Sequence, residues 1–177
     1  ENKKFEQRLL VQSRMDALTK ICNRGYGEAQ IEKLLKAKKN GMFLLFDVDK
    51  FKHINDTYGH SIGDEVLIQV ADALKQTFEQ AGVCMRLGGD EFAVYAPEIT
   101  EQMQAETMIQ AFFERIRNIA IPQMEGDAIS VSLGAVLCAP DREHVFEKVY
   151  QRADATMYTC KKVIGNSYDF YTGRNPA

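Results

Sequence analysis

The chain has 177 residues, 45% of them hydrophobic, which suits one domain with a sizeable core and is short for two. Its 25 acidic against 22 basic residues give a net charge of −3 with no long single-sign block, so overall charge supports neither DNA binding nor direct contact with a membrane surface. No apolar run approaches the roughly 20 residues that span a bilayer, and no signal peptide is recognisable. Cys22, Cys84, Cys138 and Cys160 are far apart and form neither a CxxC pair nor a secreted disulfide framework; reduced thiols and a cytoplasmic location are expected.

The chain begins with Glu1 and opens on the polar stretch Glu1 to Arg8, from which we expect a fragment of a longer protein with an upstream sensor domain. Phe5, Leu9, Met15 and Leu18 make a weak helical stripe, too short for a coiled coil, and residues 1–15 are assigned as a linker helix. A second helix is predicted after Gly27, with Ile31, Leu34 and Leu35 on one face and Asn40-Gly41 as its stop. Met42 to Val48 is a continuous apolar run broken by Asp47, as expected for a central strand covered on both faces. Helical spacing returns from Ile62 to Phe78, with Ser61 and Asp64 as a capping box. Val83 to Leu87 and Phe92 to Ala96 read as two strands of a hairpin around Gly88-Gly89-Asp90-Glu91. Met108, Phe112, Ile116 and Ile119 mark another helix. The alternation Ile129, Val131, Leu133, Ala135, Leu137 predicts a half-buried strand. Phe146, Val149, Ala153 and Met157 mark the last helix, and Tyr168 to Tyr171 an edge strand. The pattern is α/β, with a hairpin inserted between helices and a single domain over residues 16–177.

Asp47 and Asp49 stand at the end of an apolar strand, where a carboxylate is costly to bury without a cation or hydrogen-bond donors. Asp47 either caps the following turn or binds a metal. Asp90-Glu91 supplies a second acidic group. If the central strand and the hairpin are neighbours, Asp47 and Asp90 converge on one hard cation, because magnesium prefers carboxylate oxygens alongside phosphates. Gly88-Gly89 either makes only a tight turn or lets a triphosphate approach the backbone N–H groups. Lys50 to Asp56 is dense in donors and acceptors just after a strand end, a favoured ligand position in α/β sheets.

DVDKFKHINDTYGHSIGDEVL (Asp47 to Leu67) and RLGGDEF (Arg86 to Phe92) resemble the two signature blocks of GGDEF domains. DALTKICNR (Asp16 to Arg24), VSLGA (Val131 to Ala135) and ADATMYTCKK (Ala153 to Lys162) are similar to further blocks of that family. The resemblance implies a diguanylate cyclase that condenses two GTP into cyclic di-GMP. Its implied fold is the palm of nucleotide cyclases and polymerases, an α+β architecture with a mostly antiparallel sheet wrapped by helices. Carried over by motif position, Asp47, Asp90 and the Val48 carbonyl would bind Mg2+ or Mn2+. Asp90 also matches the general base on the 3′-hydroxyl, a role we rank second because a metal-bound carboxylate is a poor base in isolation. Glu91 would assist the same centre. Asn55 and Asp64 resemble the guanine-reading pair, His60 would lie near the ribose or base, and Phe51, Gly88 and Gly89 join the substrate contacts. Lys52 and Lys161 would neutralise phosphate charge. The family also implies catalysis by a homodimer.

Some positions depart from the pattern. Gly165 stands where relatives often carry a basic residue four positions beyond the lysine matched by Lys161, which lowers the expected phosphate affinity. Lys20 replaces a common glycine. Glu79 and Gly82 stand where many relatives have the Arg and Asp of an RxxD motif that binds cyclic di-GMP as a brake. The competing readings are a GTP- or cyclic di-GMP-binding module without catalysis, another palm-type nucleotidyl cyclase or polymerase acting on ATP or on mixed nucleotides, and a structural dimerisation unit. Intact Asp47, Asp90 and Glu91 disfavour the first, Asp64 the second, and the acidic positions together the third.

Overall fold

Eight residues, Gly41–Val48, form the central strand β1. Six of the eight are buried apolar side chains and Gly41 is buried beside them, leaving Asp47 as the one residue not fully buried, which is why the sequence there shows no alternation. In a computed structural model describing residues 1–140 and 142–173, five strands lie in the order β2-β3-β1-β4-β5. Strands β2 (Val83–Gly88), β3 (Glu91–Pro97) and β4 (Val131–Leu137) pair antiparallel with their neighbours, and β5 (Ser167–Phe170) runs parallel to β4. The sheet is mostly antiparallel, as expected, with β5 on an edge.

Successive side chains of a strand point to opposite faces, and here both faces are covered. Met42, Leu44 and Phe46 join the core under helices α4 (His60–Phe78) and α5 (Gln102–Arg117). Phe46 stacks on Phe92 at 5.3 Å between ring centroids and meets Phe112 of α5 at 5.0 Å. Phe43 and Leu45 point the other way, into the core under α2 (Arg24–Lys36) and α6 (Phe146–Cys160).

Several elements differ from their sequence expectation. Strand β4 is buried on both faces rather than half-buried. Its second face carries Ser132, Gly134 and Val136, and small residues there make room for α6 instead of facing water. A Cβ on Gly134 would lie 2.1 Å from the Ala153 carbonyl oxygen. Helix α2 starts at Arg24, before Gly27, because the Asn23 side chain caps it by accepting from the Tyr26 N–H. Lys50 to Asp56 is mostly helical, forming α3 (Phe51–Tyr58). Gly59 then turns the chain at φ +90°, and α4 begins at once. Ser61 is therefore already inside α4, the N-cap is Gly59 with no side-chain bond, and the Ser61–Asp64 capping box does not form. Helix α5 ends at Arg117, short of Ile119.

Helix α1 (Asn2–Arg14) lies within the expected linker and buries none of its residues. Phe5, Leu9 and Leu10 on it are exposed. No helix among the described residues is long and apolar enough to cross a membrane. All four cysteines are free thiols.

Candidate functional site

A cleft of about 910 Å³ opens at the end of β1. Asp47, Val48 and Asp49 form its floor from β1 and the residue after it, Phe51, Lys52 and Asn55 enter from α3, Asp90 from the hairpin turn, and Lys161 from the end of α6. Segment 124–130 and Lys162 to Gly165 complete the walls. Two acidic groups separated by 43 positions of sequence thus meet because β1 and β3 are adjacent, with the Val48 N–H donating to the Asp90 carbonyl at 3.3 Å.

The two β1-end carboxylates have different surroundings. Asp49 accepts from the Ser130 hydroxyl at 2.5 Å and the Ser132 hydroxyl at 2.6 Å, so both of its oxygens are engaged by the protein. Asp47 pairs one oxygen with the Lys161 ammonium at 2.6 Å, while its Oδ1 is buried with no hydrogen-bond partner. Burial pushes the Asp47 carboxyl above its usual range despite Lys161, and the neighbouring charges of Asp90 and Asp49 push the same way. Burial likewise raises Asp90. The bond to Asp47 raises Lys161, keeping it a cation.

An orphaned buried carboxylate oxygen beside a second carboxylate calls for a cation. Among the described residues no group of three His, Cys, Asp or Glu side chains could hold a metal by itself, so a hard divalent ion at Asp47 and Asp90 would have to take the rest of its ligands from water or phosphate oxygens.

The remaining sequence candidates fall around this cleft. Gly88 and Gly89 form the exposed turn at φ +148° and +51°, where an added Cβ would meet nothing within 4 Å, but they do not line the cleft. His60 and Asp64 are exposed on α4 and also lie outside the lining. Asn55 reaches toward them: a Cβ on Gly63 would lie 1.8 Å from its amide oxygen, so the bare glycine leaves room for the Asn55 side chain against α4. Glu91 is turned away from the cleft lining, its Oε1 accepting from the Tyr150 hydroxyl at 2.5 Å. Burial, and then the bond to Glu91, push the Tyr150 phenol far above its ordinary range, so it stays a donor.

Sequence reasoning missed the support beneath the turn. Arg86 donates from Nε and Nη2 to the Gly89 carbonyl at 3.0 and 2.8 Å and from Nη1 to both oxygens of Asp16 at 3.2 Å. Asp16 in turn accepts from the backbone and the side chain of Thr19. The available signal was an arginine standing inside the otherwise apolar strand run of β2. Tyr58, whose hydroxyl bonds Asp127 and the Met124 carbonyl across the cleft, carried no such signal.

The chain is 36% identical over 160 residues to the diguanylate cyclase DosC of Escherichia coli, covering 84% of this chain and 33% of that protein. It is 30% identical over 168 residues to the probable diguanylate cyclase DgcC of Escherichia coli, covering 91% and 44%. The chain thus spans less than half the length of these relatives. In fold it matches the crystal structure of the coiled coil and GGDEF domain of DgcB from Caulobacter crescentus, in complex with c-di-GMP. The TM-score there is 0.86 at 23% identity, with 95% of this chain and 91% of that chain covered. The family profile described as the diguanylate cyclase GGDEF domain matches residues 13–167, from just before Asp16 to the start of β5 and so across every wall of the cleft, and the chain belongs to that family.

Proposed function

We propose that this domain is an active diguanylate cyclase, in which the 3′-hydroxyl of each of two GTP molecules attacks the α-phosphate of the other. Each attack forms one phosphodiester bond and releases one pyrophosphate, so that two attacks close cyclic di-GMP. The observation that carries the reading is the partnerless buried Oδ1 of Asp47 facing the same cleft as Asp90 and Lys161. Asp47, Asp90 and the Val48 carbonyl would hold Mg2+ or Mn2+, which when bound would offset phosphate charge and polarise the phosphoryl oxygens. Lys161 and Lys52 bring positive charge to the triphosphate. Asp90 would receive the proton of the attacking hydroxyl.

Guanine selectivity is assigned to Asn55 and Asp64. A carboxylate accepts from guanine N1–H and its 2-amino group, whereas adenine offers a lone pair at N1. His60, Phe51, Gly88 and Gly89 would surround the same nucleotide, and Glu91 would complete the acidic centre. One cleft holds one GTP, so ring closure needs two clefts facing each other, as a two-fold homodimer supplies. An upstream sensor in a longer cytoplasmic protein would then act by controlling that encounter.

Incubation of the chain with GTP and Mg2+, followed by mass spectrometry, tests the reading. Cyclic di-GMP should form and specific activity should fall with dilution of the enzyme. Absence of product at enzyme concentrations where the chain is dimeric would leave the domain a nucleotide-binding module.

A further inference from the structure

Lys161 is the C-cap of α6, where a cation also offsets the negative end of the helix. Its ammonium meets Asp47 Oδ2 at 2.6 Å, the one ion pair of the cleft among the described residues. The two partners are unequally free. The Asp47 side chain is 13% exposed and the Lys161 side chain 44%, so the carboxylate is fixed in the floor while the lysine stem runs over the surface and can turn. The root of that stem is held in place. Gly134 lets α6 lie close on β4, its missing Cβ being the space taken by the Ala153 carbonyl. Beyond the cap, the Val163 N–H donates to the Cys160 carbonyl at 3.1 Å, and the Asn166 side chain accepts from the Val131 N–H at 2.9 Å, so the segment after Lys161 is tied to β4 as well.

No other carboxylate replaces what Lys161 takes from the floor. Both oxygens of Asp49 are engaged by Ser130 and Ser132, and Glu91 bonds Tyr150 outside the lining. Toward a divalent ion without nucleotide, the cleft thus offers Asp90 and an Asp47 already neutralised by an ammonium that repels the ion. A triphosphate reverses this balance, because its oxygens supply ligands to the ion and an anionic partner to the ammonium at once. We propose that Lys161 decides which species the cleft admits: it holds Asp47 against a free divalent ion and yields it to an ion that arrives with its triphosphate. This role rests on the metal-dependent reading of the cleft and adds to it that metal occupancy is conditional on the nucleotide.

Two binding measurements test it. Mn2+ is titrated into the chain without nucleotide and the free ion followed by electron paramagnetic resonance. Binding of 3′-deoxy-GTP, which lacks the attacking hydroxyl, is measured by equilibrium dialysis with and without excess Mn2+. Lys161→Gln keeps a hydrogen-bond donor for Asp47 and loses the charge, whereas Lys161→Arg keeps the charge. We expect Lys161→Gln to bind Mn2+ alone at least about 10-fold more tightly than wild type, the scale on which one neighbouring charge moves an ionic equilibrium. The same variant should bind 3′-deoxy-GTP with Mn2+ at least about 10-fold more weakly. Lys161→Arg should follow wild type with Mn2+ alone, and adding Asp47→Asn should cancel the gain of Lys161→Gln. Binding of Mn2+ alone by Lys161→Gln no tighter than wild type would overturn the proposal, as would a gain that Lys161→Arg shares or one that extends to the nucleotide complex. A wild type that binds 3′-deoxy-GTP equally well with and without Mn2+ would bring down the metal reading itself, and this role of Lys161 with it.

Discussion

Arg86 ties Asp16 to Gly89, joining the segment ahead of α2 to the glycine turn that presents Asp90. Both ends of the guanidinium are used, and the Arg86 and Asp16 side chains are only 16% and 21% exposed. A lysine cannot bond two partners with the same planar fork. Arg86→Lys should therefore lower the rate of cyclic di-GMP formation by at least about tenfold and cost about 1–3 kcal/mol in urea denaturation. Full activity in the variant would show that the turn holds its shape unaided.

The pH dependence of stability follows from Asp16. Burial alone would raise its carboxyl, but the bonds from Thr19 and Arg86 outweigh this and hold it below the ordinary carboxylate range. A carboxyl depressed in the folded state stabilises fully above its unfolded value and loses that contribution as pH falls through the folded one. The stability gap between wild type and Asp16→Asn should be widest near neutral pH and close below about pH 4. Denaturation at neutral and acidic pH measures it, and the raised Asp47 and Asp90 cancel because both proteins contain them. A gap that widens in acid would contradict the assignment.

Asp47→Asn should separate chemistry from folding. Burial disfavours the Asp47 charge, so a neutral amide should leave the metal-free melting temperature equal to or above that of wild type. Activity should fall at least about 100-fold, and the melting shift produced by Mg2+ with GTP should vanish. A destabilised variant whose melting still responded to metal would mean that Asp47 is structural. Asp90→Ala should lose activity in the same way without loss of fold.

If the chain makes cyclic di-GMP as proposed, that product should not inhibit it through the surface used by relatives with an RxxD motif. Glu79 sits where those relatives carry arginine, reversing the sign of charge offered to a phosphate. Gly82 sits where they carry aspartate, and here a Cβ would lie 2.0 Å from the Tyr95 carbonyl oxygen, so the backbone itself denies that position a side chain. Initial rates should change little as micromolar cyclic di-GMP is added, apart from competition at the cleft. Strong noncompetitive inhibition would reveal a different regulatory surface.

The sequence by itself determined the elements and the chemistry of the cleft floor. Periodicity is local, so the α4, α5 and α6 stripes and the β2–β3 hairpin were legible. So was the continuous run of β1, whose single interruption at Asp47 marks a charge kept in place against the cost of burial. The resemblance to the GGDEF family likewise nominated Asp47, Val48, Phe51, Lys52, Asn55, Asp90 and Lys161, all of which line the cleft. Tertiary structure decided how the other groups are employed. Whether Asp49 faces a cation or two serines depends on where β4 lies, and whether Glu91 points into the cleft or toward Tyr150 depends on the height of α6 above Gly134. The same packing turned the small residues of β4 from an expected solvent face into a buried one. These outcomes arise from contacts between segments distant in sequence, where the identity of one residue says what it can bond to and only packing says what it meets.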